Sequence, residues 1–273
     1  MPELPEVETI RTCLADRVTG RTVKNVYVKQ GSRLLRDTVS PASFKKKLKG
    51  EKIVSLDRRG KYLIIRMSGG LSLVVHLGMT GVLYALQPKE KRPDHTHVVL
   101  ELDDADLVLS DPRTFGRVMI MEDGEELAPL KQLGPEPLGV DFNTTYLSSF
   151  LDNRKAPVKS LLLGQKAVAG IGNIYADEAC FRAGILPSRL GGSLTPEESD
   201  SLVKSIKSVI KESIRMKGCT IRDYRWDAGK SGSFAKSLKV YGREGGPCTE
   251  CGSTVDRVVI SGRSTFFCPR CQT

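Results

Sequence analysis

The apolar positions change period along the chain. Over residues 5–18, Val7, Ile10, Leu14 and Val18 recur every three or four positions, the spacing of one helix face. From 22 to 121 they fall into eight short Val/Leu/Ile-rich runs, at 22–29, 52–56, 62–66, 71–76, 82–86, 97–102, 107–109 and 117–121. Gly, Asp or Pro breaks each run, and Ser68-Gly69-Gly70 and Asp103-Asp104 suit hairpins. Eight such strands with no helix pattern between them predict an antiparallel sandwich or barrel. Leu133-Gly134-Pro135-Glu136-Pro137-Leu138-Gly139 then reads as a hinge and a domain boundary.

Beyond the hinge the helical period returns, at 146–153, at 157–163 with Pro157 in the first position, and at 174–183, which Gly184 stops. Thr195-Pro196-Glu197-Glu198 is a capping box opening a helix that runs to Gly218. On that helix Leu202, Ile206, Val209, Ile210 and Ile214 form one stripe, opposite Lys204, Lys207, Lys211 and Arg215. Residues 226–233 (WDAGKSGS) read as a flexible loop.

Composition narrows the partner. The 273 residues suit two domains, and 40% apolar content can fill a proper core. No apolar run approaches a membrane span and no signal-peptide pattern opens the chain, so a cytoplasmic protein is expected. The net charge is +10. Eleven basic against three acidic residues between 204 and 243 supply +8 of it, and nucleic acid is the default anionic partner. Lys45-Lys46-Lys47-Leu48-Lys49 fits a solvated helix face.

Seven cysteines in a cytosolic setting argue against disulfides. Cys13, Cys180 and Cys219 sit singly in helical patterns and read as small buried hydrophobes. Cys248-x2-Cys251 and Cys268-x2-Cys271, sixteen residues apart, have zinc-ribbon spacing, with strand, tight turn and strand between them. Four sulfur ligands close the coordination sphere, so the expected cofactor is one structural Zn2+, with no redox or organic group. A ribbon this small needs its metal to fold. Arg263 falls at the hairpin tip, where it could reach a phosphate or simply be exposed.

The first six residues, Met1-Pro2-Glu3-Leu4-Pro5-Glu6, carry candidate chemistry. A chain beginning Met-Pro normally loses its methionine, which leaves the secondary amine of Pro2 as the N-terminus. An α-amine has a pKa of about 7.7–8 against about 10.4 for lysine, so a useful fraction is free base near neutral pH. Beside Glu3 and Glu6 it is a covalent nucleophile with a general acid or base at hand. Taken alone, the six residues fit a stiffened helix entry better, with Pro5 at the first helical position and Glu6 and Glu8 on the dipole.

The whole length resembles the formamidopyrimidine-DNA glycosylases. Eight motifs in order carry the likeness: Pro2-Glu3-Leu4-Pro5-Glu6, Arg58-Arg59-Gly60-Lys61-Tyr62-Leu63, His76-Leu77-Gly78-Met79-Thr80-Gly81, Asp111-Pro112-Arg113-Thr114-Phe115-Gly116, Leu133-Gly134-Pro135-Glu136-Pro137-Leu138, Gly170-Ile171-Gly172-Asn173-Ile174-Tyr175, Val240-Tyr241-Gly242 and the four cysteines. The related endonuclease VIII branch, directed to oxidised pyrimidines, has glycine where Leu4 stands. Leu4 thus favours oxidised purines.

The resemblance implies an α+β fold: an N-terminal antiparallel β-sandwich with flanking helices over 1–132, a hinge at 133–139, a helix–two-turn–helix domain over 140–239 and a zinc ribbon over 240–273, with DNA in the cleft. It implies a bifunctional glycosylase and abasic-site lyase that acts on damaged double-stranded DNA as a monomer, with no membrane partner. Pro2 would attack C1′, Glu3 would serve as general acid, Glu6 would support the site and Lys61 would hold a phosphate. His76, Asn173, Tyr241 and Arg263 would contact the DNA backbone. A base turned out of the stack leaves a hole that Met79, Arg113 and Phe115 would fill. Arg222 and Tyr224, in a loop over 218–234, would cover the flipped base, and Lys159 matches a lysine near the lesion. On local sequence alone Lys61 fits an ordinary strand-edge lysine, His76 a satisfied strand histidine and Asn173 a helix N-cap. Met79 and Phe115 could be core residues, but both follow a strand and sit beside glycines, which favours loop tips and an exposed role.

Three departures stand out. Thr114 replaces a usual Arg or Lys and puts wedge strength or opposite-base preference in question; Gly164 replaces a commonly polar residue, and Trp226 is unusual in the lesion loop. A zinc-ribbon protein that binds lesions without catalysis would keep the hinge, the basic segment and the wedge. It would have no use for a free proline amine beside Glu3.

Overall fold

The computed structural model describes residues 2–36, 38–220 and 231–273. The chain divides by contact into two compact units. The first is Met1–Lys131 with Met216–Ser233, and the second is Gln132–Arg215 with Phe234–Thr273.

In the first unit, α1 (Leu4–Val18) precedes β1 (Asn25–Val28), α2 (Pro41–Leu48), β2 (Ile53–Arg59), β3 (Tyr62–Met67), β4 (Leu71–His76), β5 (Val82–Leu86), β6 (Thr96–Glu101), β7 (Asp106–Ser110), β8 (Arg117–Glu122) and the single turn α3 (Ala128–Lys131). All eight anticipated strands form. They make two four-stranded antiparallel sheets, ordered β1-β6-β7-β5 and β2-β3-β4-β8. Alternation sets the faces: Leu63, Ile65 and Met67 of β3 point into one core with Leu73 and Val75 of β4 and Val98, Leu100, Leu107 and Leu109 of the other sheet. The result is the expected sandwich. Val7, Ile10, Leu14 and Val18 of α1 enter the same core, so the helix that carries the N-terminus is anchored along its length. The lysine run belongs to α2, which Ser40 caps and whose Phe44 and Leu48 are buried.

The second unit contains α4 (Thr144–Leu151), α5 (Val158–Leu163), α6 (Asn173–Ala183), α7 (Pro196–Arg215) and the hairpin β9 (Asp256–Ile260)–β10 (Arg263–Phe267). The capping box of α7 is formed in both directions: Thr195 N donates to Glu198 Oε2 at 2.8 Å and Glu198 N to Thr195 Oγ1 at 3.2 Å. Pro157 is the cap of α5 and not its first residue. Residues 133–139 are partly fixed to this unit, since Gly134 N donates to Gln165 O and Ala169 N to Pro135 O. The sequence places 218–234 with the helical domain. By contact, Met216–Ser233 groups with the sandwich instead. Among the described residues, no helix is long and apolar enough to cross a membrane.

Candidate active site and nucleic-acid interface

Leu4 opens α1, with Pro5 second, one position later than anticipated. Glu6, at the third helical position, receives the N–H of Glu3 on Oε2 at 2.8 Å and satisfies a donor the helix leaves orphaned. Its other oxygen, Oε1, accepts from Cys219 N at 2.7 Å. One buried carboxylate therefore ties the first turn to the stem of the 218–234 segment. That stem is closed by an antiparallel bridge between Cys219 and Ser233 and by Gly232 N donating to Thr220 Oγ1 at 2.8 Å. Arg222, Tyr224 and Trp226 lie outside the described residues. Pro2, Glu3 and Glu6 are all buried, which suits a terminus held in place and not a frayed end.

Lys61 is also buried, in the turn between β2 and β3. His76 ends β4 between Tyr62 and Arg117, its cross-strand neighbours, with the Tyr62 ring 4.8 Å away. Gly78 N donates to His76 Nδ1 at 3.2 Å, so the ring proton sits on Nε2, the nitrogen left to donate. Burial, then the charges of Lys61 and Arg117, push the His76 pKa down to about 4. It is a neutral donor at neutral pH.

The consequence for stability has a definite sign. The folded value lies below that of the unfolded chain, so between pH 6.5 and about 4 the unfolded state takes a proton that the native ring refuses. This group thus subtracts stability as pH falls through that window and contributes no pH dependence above it. An NMR titration of the folded protein should put the His76 midpoint at about 4. A midpoint at the ordinary value of 6.5 would contradict the placement.

Two loops follow the β4 and β7 ends. Met79 lies in the first and is 37% exposed; Phe115 lies in the second and is 49% exposed, with the Arg113 guanidinium 4.8 Å from its ring centre. Large apolar side chains left in solvent are neither core nor strand packing.

In the second unit Gly172 caps α6, so Asn173 is its first helical residue and not its cap. Asn173 Nδ2 donates to Ser264 O at 3.0 Å and lies 3.3 Å from the Tyr241 hydroxyl. Asn173, Tyr241 and the start of β10, where Arg263 stands exposed, are thus brought together. Arg263 pairs with Ile260 across the hairpin, one residue inside the Ser261-Gly262 turn.

Lys159 is a correction. It is fully buried, its ammonium 2.7 Å from Asp177 Oδ1, 2.9 Å from Ser264 O and 2.8 Å from Thr265 Oγ1. A side chain so enclosed offers nothing to a phosphate; it pins β10 to α5 and α6. Burial pushes the Asp177 carboxyl up, while Lys159 and the Phe266 amide, which donates to Asp177 Oδ2 at 3.0 Å, pull it back. The adjacent Glu178 is equally buried and accepts from the backbone N–H groups of Lys239, Val240 and Tyr241, each at 3.0 Å. Two consecutive acids of one helix therefore set the places of Arg263 and Tyr241. Sequence reasoning passes over both. Their one signal is an acidic pair on the inner face of an otherwise apolar helix.

Cys248, Cys251, Cys268 and Cys271 bring their sulfurs within 4.8 Å of one another. Sulfurs bound tetrahedrally at about 2.3 Å from one zinc would lie at comparable separations, so the set fits the ion. Glu250 N donates to Cys248 Sγ at 3.4 Å. Phe181, Val240 and Val255 are the only other fully apolar buried residues packed with these cysteines among the described residues.

Three family models match the chain. The family model for the formamidopyrimidine-DNA glycosylase N-terminal domain matches residues 1–118, that for its H2TH domain 133–225, and that for the zinc finger found in FPG and IleRS 245–273. The formamidopyrimidine-DNA glycosylase of Heliobacterium modesticaldum is 46% identical over 281 residues, covering 100% of both chains. The MutM (FPG) protein of Thermus thermophilus, known from a crystal structure, is 42% identical, with a TM-score of 0.89 over 99% of this chain and 98% of that one. Lactococcus lactis Fpg has been solved, as a glycine-to-proline mutant, with DNA containing Fapy-dG, at 33% identity and a TM-score of 0.93 over 100% of both chains. It has also been solved with DNA containing an abasic site, at 32% identity and a TM-score of 0.91 over 99% of both.

Proposed function

Because the chain belongs to the formamidopyrimidine-DNA glycosylase family, we propose that it excises oxidised purines, 8-oxoguanine and formamidopyrimidines, from duplex DNA and then cleaves the abasic site. The observation that carries the reading is the fixed first turn of α1, where Glu6 holds the Glu3 amide at 2.8 Å and the Cys219 amide at 2.7 Å beside Pro2. Once the initiator methionine is gone, the Pro2 nitrogen has a lone pair to add to C1′. The bond from C1′ to the base breaks, the base leaving with the proton that the proline nitrogen gives up. Glu3 in its acid form protonates the ring oxygen as the nitrogen lone pair opens the sugar to an iminium. The iminium acidifies the neighbouring C2′ proton, so the same adduct loses first the 3′ and then the 5′ phosphate. One nucleophile accounts for both activities.

Lys61 and His76 of the first unit hold phosphates beside the lesion in this reading, one as a cation and one as a neutral donor. Asn173, Tyr241 and Arg263 hold the backbone from the second unit, and zinc keeps the ribbon folded under them. Leu4 supports the purine-directed branch. Lesions of Fapy-dG type and abasic sites are the ligands of the Lactococcus complexes, which agrees with the proposed substrates.

Borohydride added during reaction with an 8-oxoguanine duplex, followed by peptide mapping, tests the proposal. An adduct on Pro2 is expected. Lesion binding without any cross-link would favour a protein that recognises damage and does not cut it.

A further inference from the structure

The two loops that carry Met79, Arg113 and Phe115 share one buried anion. Asp111 is fully buried, and its carboxylate is surrounded by hydrogen-bond donors from both loops. Oδ1 accepts from Thr80 Oγ1 at 2.6 Å and from Arg113 N at 3.3 Å, and Oδ2 accepts from Gly116 N at 2.7 Å. The Thr114 amide closes the turn on Asp111 O at 3.3 Å. Where the loops touch there is no slack: a Cβ on Gly78, whose φ is +60°, would lie 2.6 Å from the carbonyl carbon of Phe115. Thr114 adopts φ +55°, a region a β-branched residue enters only under constraint, and Arg36 Nη1 holds its carbonyl at 3.2 Å. A charge at this depth is tolerable only because its oxygens are hydrogen-bonded.

We propose that Asp111 is the positioning residue of the wedge. Its carboxylate fixes residues 77–81 and 111–116 at one offset, so that Met79, Arg113 and Phe115 enter the base stack as a single rigid body. The inference rests on the glycosylase reading for its purpose, though the coupling between the loops stands on geometry. It also gives Thr114 a role: the strained backbone at 114 is the part of the loop that the carboxylate must hold, whatever side chain stands there. Rigid loops lower the cost of opening the stack because their ordering precedes DNA binding.

Three substitutions separate this role from general support of the fold. Asp111→Asn keeps the shape but turns an amino group towards backbone N–H donors. Thr80→Val removes only the link from the other loop, and Thr80→Ser retains it. The probes are two 8-oxoguanine duplexes, one with cytosine opposite the lesion and a 2-aminopurine beside that cytosine, the other with an abasic analogue opposite the lesion. Extrusion is easier from the second duplex, and it has no orphaned base for Arg113 to hold.

With the paired duplex, Thr80→Val and Asp111→Asn should weaken the 2-aminopurine brightening on binding and slow single-turnover excision about tenfold, the worth of a hydrogen bond to a charged group. With the unpaired duplex the excision rate should stay within about twofold of wild type, and Thr80→Ser should match wild type on both. Equal losses on the two duplexes would overturn the proposal in favour of fold support, and wild-type brightening in Thr80→Val would overturn it outright. The brightening requires binding and no chemistry. A failure of the glycosylase reading would instead show as a wild-type protein that brightens the probe and cuts neither duplex.

Discussion

Protein that keeps Met1, or carries a tag ahead of Pro2, should bind a lesion duplex normally and fail to cut it. In the blocked form the Pro2 nitrogen is an amide, its lone pair delocalised into the carbonyl, and no base in the site can restore it. The hydrogen bonds that organise the first turn involve Glu3 N, Glu6 and Cys219 N, none of which is consumed by blocking Pro2. The core contacts of Val7, Ile10 and Leu14 are likewise untouched. Fold and affinity should therefore survive while the chemistry goes. Removal of a covalent nucleophile costs on the order of 10³-fold or more in rate. Single-turnover excision on blocked and processed protein, with N-terminal mass spectrometry on both, makes the comparison. Full activity in the blocked protein would place the nucleophile elsewhere, Lys61 being the nearest candidate by type.

Loss of zinc should be the largest energetic change available to the second unit. Structural zinc in small finger peptides is worth about 10–16 kcal/mol of binding free energy at neutral pH. The ribbon's apolar support is smaller: Phe181, Val240 and Val255 at about 1.5–3 kcal/mol each, with Phe266 only partly buried against them. Cys248→Ser or Cys271→Ser should therefore release the metal and loosen both Cys-x2-Cys turns. Docking of β10 by Lys159, Asp177 and Thr265, and of residues 239–241 by Glu178, opposes the loss without replacing the ion. Tyr241 is itself held by Glu178, and Arg263 adjoins Ser264, whose carbonyl Lys159 holds. We expect duplex affinity to fall at least about tenfold, with the salt dependence reduced as phosphate contacts disappear. Zinc content, affinity at two salt concentrations and thermal melting provide the readings. Unchanged DNA binding in metal-free protein would show that the ribbon does not help to hold DNA.

The elements that local chemistry governs are legible from the chain. The eight strands follow from short Val/Leu/Ile-rich runs broken by Gly, Asp and Pro; the helix over Pro196–Arg215 follows from its capping box and single apolar stripe. The zinc site follows from thiol spacing, because one knuckle presents two ligands whatever surrounds it. The exposure of Met79 and Phe115 follows from glycines beside strand ends. Sheet order does not follow, since β1 pairs with β6 and β4 with β8, and nothing in a strand's own alternation names so distant a partner.

Buried charge is illegible for the same reason. Lys159 looks like a surface lysine because its acceptors lie 18 and 106 positions away, at Asp177 and Thr265. Asp111 looks like a turn residue until Thr80 is placed against it. Glu6 reads locally as a helix-dipole partner. Only the fold shows it also receiving Cys219, which joins the first turn to a segment more than two hundred residues on. The order of residues thus supplies the reagents of the site: a proline amine beside two acids, a wedge trio and four thiols. Folding settles which charges are spent inside the protein and which are left for a ligand, because that depends on the distant donors and acceptors brought to each buried group.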